Sequence, residues 1–134
     1  MTTADRHSRN SNSKLHSRNV EDFIKNSLTR FLYENSNLTK RQLETLLLRS
    51  QGLTILQMAS ALGISKGAAS RILKQALRNV RKSFGTLLLL SYAGLISEEE
   101  FESFYKLAEA MRRLRGKPEL SSLILRRLKK FFAT

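Results

Sequence analysis

The sequence predicts an all-α fold, and three observations carry that expectation. Apolar residues recur at three- and four-residue spacing in one segment after another. Three times a Thr or Ser stands three residues ahead of Gln or Glu, the pairing of a capping box: Thr39/Gln42, Thr54/Gln57 and Ser97/Glu100. Leu, Lys, Arg, Ala and Glu dominate, with one proline in 134 residues. The expected architecture is a helical bundle with additional C-terminal helices, of a length that suits one domain plus a tail.

In chain order, residues 1–19 are rich in Ser, Asn and Arg and nearly free of apolar side chains. Such a segment buries too little surface to offset its ordering entropy, so a disordered basic arm is expected. It is either a solvated tail or an arm that touches DNA in the minor groove. Residues 20–35 read as one helix with Val20, Phe23, Ile24, Leu28, Phe31 and Leu32 at helical spacing. Thr39 caps a second helix with an apolar stripe of Leu43, Leu46 and Leu47, and Gly52 ends it. Thr54 caps a third, with Ile55, Met58, Ala59 and Leu62 inward, and Gly63 follows. Ser65 caps a fourth that continues through Gly85 to about Tyr92. Ser97 opens a fifth near 98–115, with Glu98, Glu99 and Glu100 in its first turn and Arg112, Arg113 and Arg115 in its last, as the helix dipole favours. Gly116 and Pro118 stop it, and 119–132 form a last basic amphipathic helix. The expected division is 1–19, 20–92 and 93–134, with the last part serving in packing or dimerisation.

Net charge is +13. It concentrates in residues 36–92, where nine Lys and Arg face one acid, Glu44. This balance fits a polyanion, nucleic acid foremost and an anionic membrane surface second. Cysteine is absent, and His7 and His16 both lie in the polar N-terminal segment, so no disulfide, metal site or other cofactor is expected. No apolar leader precedes 20, and the run 87–96 is too short to span a bilayer, so a cytoplasmic protein, nucleoid-associated when bound, is expected. "GISKG" lacks the spacing of a phosphate loop, and no Ser/His/Asp constellation is at hand, so no catalytic residue is assigned and no enzyme is expected.

Residues 53–82 meet the steric demands of two helices joined at a sharp corner. Ala59 is small where the helices cross, Gly63 tolerates the turn, and Leu62 and Ile64 flank it. Ala69, Ile72, Leu73, Ala76, Leu77 and Val80 then make the inward face, while Ser70, Arg71, Lys74, Arg78, Arg81 and Lys82 lie opposite. Gly67 and Ala68 leave the entry of the helix slim. A recognition helix enters the major groove N-terminus first. Ser65, Lys66, Ser70, Arg71 and Lys74 are then the base-reading candidates, with Arg71 suited to guanine. Lys40, Arg41, Thr54, Gln57, Arg78 and Lys82 are the phosphate candidates. The alternative is a helical hairpin whose basic side is merely solvated.

The stretch "LTKRQLETLLLRSQGLTILQMASALGISKGAASRILKQALRNVRKSF" resembles the tetrahelical helix-turn-helix of sigma factor region 4, LuxR-type response regulators and archaeal Tfx regulators. The likeness rests on Leu38, Thr39, Arg41, Gln42, Glu44, Leu46, Arg49, Gly52, Leu53, Thr54, Ala59, Leu62, Gly63, Ile64 and Ser65. It covers 38–84 and is nearest to Tfx in length and in the closing "RNVRKSF". It departs at Gln57-Met58, where the family commonly has Glu-Ile, and at Ala69, where a branched residue is commoner. The resemblance implies binding of double-stranded DNA and transcriptional control. Residues 93–134 match none of these families.

Two segments leave alternatives open. Leu87, Leu88, Leu90, Tyr92, Leu95 and Ile96 are too apolar for a lone surface helix. They pack either within the chain, against 20–35 and 98–115, or in a homodimer interface. The last helix places Leu123, Ile124, Leu128, Phe131 and Phe132 near one face, for packing on its own domain or for a membrane surface. No membrane partner is expected. A sequence-specific regulator is the leading functional expectation; a virus- or plasmid-borne packaging, partition or nucleoid protein of low specificity is the other.

Overall fold

The computed structural model describes residues 20–115 and 117–133; the expected arm at 1–19 lies outside them. Helical turns at 20–25 precede six α-helices: α1 (Ser27–Glu34), α2 (Lys40–Ser50), α3 (Ile55–Leu62), α4 (Lys66–Tyr92), α5 (Glu98–Leu114) and α6 (Ser121–Phe132), the last entered through a 3₁₀ turn, Pro118–Leu120. No strand occurs among the described residues. The fold is all-α, as expected.

The single helix expected over 20–35 is instead broken at Asn26. Its side chain turns back to accept from Leu28 N at 2.7 Å and so starts α1. The break is tolerated because side chains take up the carbonyls it frees. The Thr29 hydroxyl donates to Phe23 O, and Arg30 Nε donates to Ile24 O at 3.1 Å. The apolar spacing continues through the break, which is why periodicity alone does not reveal it.

Two cores form. Leu48, Met58 and Leu73 make one, with Leu46, Leu53, Ile55, Ala61 and Leu62 around them, and hold α2, α3 and α4 together. Leu28, Ile124 and Leu128 make the other, with Phe31, Leu32, Leu107, Met111 and Leu114 around them. This second core joins α1 to α6 and α6 to α5, closed at one end by a T-shaped contact of Phe31 on Phe132 at 5.7 Å. The last helix, α6, therefore packs on α1 as well as on α5. The inward side of α6 is Ile124 and Leu128, with Leu123 62% exposed, so this helix is committed to the fold. No described helix is long and apolar enough to cross a membrane.

Three helices end in the same way, at Gly52, Gly63 and Gly94, with a left-handed glycine whose following residue bonds back five residues. At Gly63 (φ 66°) the pair is Gly63 N to Ser60 O and Ile64 N to Ala59 O, at 3.2 and 3.0 Å. At Gly94 (φ 72°) it is Gly94 N to Ser91 O and Leu95 N to Leu90 O, at 3.2 and 2.9 Å. This is the Schellman arrangement, and it satisfies carbonyls that the helix end leaves open. Gly85, in contrast, sits inside α4, and a methyl group added there meets nothing within 4 Å. Gly85→Ala is therefore expected to stabilise the chain by about 0.5–1 kcal/mol, read as a raised thermal midpoint, because alanine loses less backbone entropy in a helix.

Candidate nucleic-acid interface

The recognition candidates sit where α3, the turn and α4 place them. Thr54 and Gln57 cap α3 reciprocally: Thr54 Oγ1 accepts from Gln57 N at 3.2 Å, and Gln57 Oε1 accepts from Thr54 N at 2.9 Å. The Gln57 side-chain nitrogen takes no part in that cap and remains a donor for an anion at the start of α3. Ser65 Oγ accepts from Ala68 N at 3.1 Å and starts α4, leaving its hydroxyl proton free of the cap. Ser65 thus shapes the entry as much as it faces outward.

α4 has 27 residues, so it is about 40 Å long at 1.5 Å per residue. Its inward side is Ala69, Leu73 and Ala76, all buried. Lys66, Arg71, Lys74, Arg78, Arg81 and Lys82 are all exposed, and Ser70 is half-buried at the edge of that face. At about 100° per residue these residues share one side of the helix. Ala69 is fully buried on the side of α4 that packs against α2 and α3. Leu77 and Val80, expected inward, are 37 and 36% exposed. At this level α2 meets α4 at Asn79, through Gln42, and leaves Leu77 and Val80 partly open to solvent.

The inward side of α2 differs from the expected stripe. Leu43, Leu46 and Leu47 are only half-buried, while Gln42, Thr45 and Leu48 are buried. Two of these are polar, and both are satisfied. The Thr45 hydroxyl donates to Arg41 O at 2.8 Å. Gln42 Oε1 accepts from Thr39 N at 3.1 Å and from Asn79 Nδ2 at 2.8 Å. Burial without a partner costs roughly 1–3 kcal/mol per group, so these bonds are what admit polar residues to the core side.

Asn79 is the residue that sequence reasoning missed. Its amide donates both to Gln42 and to Asn37 O, at 3.3 Å, and Asn37 Nδ2 donates to Ser83 Oγ, at 3.3 Å. These bonds hold the start of α2 against the turn of α4 that carries Arg78 and Lys82. The available signal was an asparagine adjoining the apolar side of a long helix.

Two phosphate candidates have carboxylate partners in the free chain. Lys40 pairs with Glu21, and this hydrogen bond raises the Lys40 pKa above its ordinary value. Arg41 Nη1 donates to Glu44 Oε1 at 2.8 Å. In both pairs the cationic side chain is about half exposed, so a phosphate competes with each carboxylate at modest cost. Arg78 and Lys82 form no ion pair among the described residues. Thr54 and Gln57 lie at the far end of α3 from the Gly63 corner, so they meet a different stretch of any ligand than Lys66 does.

The dimer candidates divide. Leu87, Leu90 and Ile96 are half-buried, while Leu88, Tyr92 and Leu95 are open to solvent. The chain itself covers the first three in part and leaves the other three open.

No family model matches the chain, and no solved structure does either. The chain is similar to the "Putative transcriptional regulatory protein MJ0173" of Methanocaldococcus jannaschii, with 39% identity over 56 residues. That match takes in 42% of this chain and 41% of the relative, so the chain spans less than half of the relative's length.

Proposed function

We propose that the protein binds double-stranded DNA through α3 and α4, with the first four turns of α4 in the major groove, and that it acts as a transcriptional regulator rather than as an enzyme. The observation that carries this reading is the one-sided exposed row Lys66, Arg71, Lys74, Arg78 and Lys82, on a helix seated by a glycine corner against a short preceding helix. The partial similarity to a protein named as a transcriptional regulator supports it. Arg71 and Lys74 read base edges, with Lys66, Ser65 and Ser70 at the entry. Arg78, Lys82, Lys40, Arg41 and the starts of α2 and α3 hold phosphates.

The competing function, a packaging or nucleoid protein, needs the same basic face but not base discrimination. Titration of duplexes at fixed salt separates the two. A regulator prefers its own site to random duplex by about 10³-fold or more. A ratio near unity, with long cooperative arrays on random DNA, would assign the coating role instead.

A further inference from the structure

Beyond Lys82 the exposed side of α4 changes character. Phe84, Leu88, Leu89 and Tyr92 are 59, 67, 65 and 94% exposed, and Leu95 just after the helix is 71% exposed. At about 100° per residue the four leucines 87–90 point to all sides, and a helix that is apolar all round belongs in an interior. α5 starts beside it, and Leu88, Ser91, Ile96, Phe101 and Tyr105 line an open cleft of about 660 Å³.

The size of this surface is informative. At about 200 Å² per ring, the exposed parts of Phe84, Tyr92, Phe101 and Tyr105 amount to roughly 500 Å². Three leucines, each about two-thirds open, bring the total toward the ~800 Å² that one partner contributes to a stable interface. A monomer seldom leaves that much contiguous apolar surface in water.

Charge points to the occupant. No Lys or Arg occurs from Ser83 to Tyr105, although the chain has 24 of them. Glu98 and Glu102 stand on the rim of the cleft, so a polyanion is repelled there. A second copy supplies what the cleft lacks: an apolar end of a helix to fill it, with Arg81 one turn earlier on the same helix to meet the rim carboxylates. A chain of net charge +13 can approach its own copy best through its longest stretch without basic residues.

We propose that this surface is a homodimer interface, in which residues 84–95 of each copy fill the cleft between α4 and α5 of the other. The interface rests on the apolar surface and its charge alone. Its consequence for DNA rests on the reading of α4 as the recognition helix. Arg71 and Leu88 are then about 25 Å apart on one rigid helix, so the crossing of the two copies sets the spacing of the half-sites.

Sedimentation equilibrium of the full chain without DNA tests the interface. The parent is expected to show a concentration-dependent dimer. Leu88→Glu combined with Leu95→Glu changes two side chains that the monomer leaves in water, so the circular dichroism should match the parent. The dimer dissociation constant should rise roughly 30-fold or more. A parent that stays monomeric at tens of micromolar overturns the proposal, as does a double variant that dimerises like the parent. Monomers that instead bind anionic lipid vesicles through this face overturn it too. A parent that dimerises without affinity for duplexes keeps the interface and removes the DNA reading; a monomeric parent that binds one site tightly does the reverse.

Discussion

Met58→Ala is expected to lower unfolding free energy by about 2–5 kcal/mol, the largest effect of any single substitution considered. Met58 is fully buried, and with Leu48 and Leu73 it is one of three residues that close the core between α2, α3 and α4. It stands next to Ala59, whose carbonyl accepts the bond that shapes the Gly63 turn. Truncating it removes a flexible side chain that fills the inside of the corner, and neighbours held by their own helices can close the gap only in part. Urea unfolding followed by circular dichroism measures the loss. Leu123→Ala, at a largely exposed site, is the control and is expected to stay within about 0.5 kcal/mol of the parent. Equal effects at the two sites would mean that Met58 does not hold the corner.

Arg78→Ala with Lys82→Ala is expected to weaken duplex binding without altering the fold. Both side chains are exposed, and neither is held by an ion pair among the described residues, so nothing in the structure depends on them. Each phosphate contact releases counterions, and losing two should reduce the slope of log affinity against log salt by about 1.8. Lys40 and Arg41 should contribute less each, because Glu21 and Glu44 already occupy them. An unchanged slope in the double variant would place the phosphates elsewhere on the protein.

The caps and corners were legible in the sequence because their chemistry is local. Thr39/Gln42, Thr54/Gln57 and Ser97/Glu100 all form the reciprocal bonds that their spacing predicts, and Gly63 takes the left-handed turn. The outward row of α4 follows from the same periodicity. What sequence reasoning missed depends on partners distant in the chain. The buried side of α2 uses Gln42 and Thr45, which count as polar until Asn79 and the Arg41 carbonyl are seen to satisfy them. The break at Asn26 is hidden because its compensating bonds come from Thr29 and Arg30, residues that periodicity does not weigh. The docking of α1 on α6 joins the two ends of the described chain, and no local pattern encodes it. The stretch around Leu88 shows the same limit from the other side. Its sequence demands burial, and the single chain leaves it open.

Selection from a pool of random duplexes at moderate salt, run in parallel with the parent and Arg71→Ala, tests the central claim most directly. The parent should enrich one motif, and Arg71→Ala should lose preference at one position of it, at a cost of about 1–3 kcal/mol for the parent site. No enrichment by the parent, or the same motif recovered at full strength by Arg71→Ala, would show that this face of α4 does not read DNA.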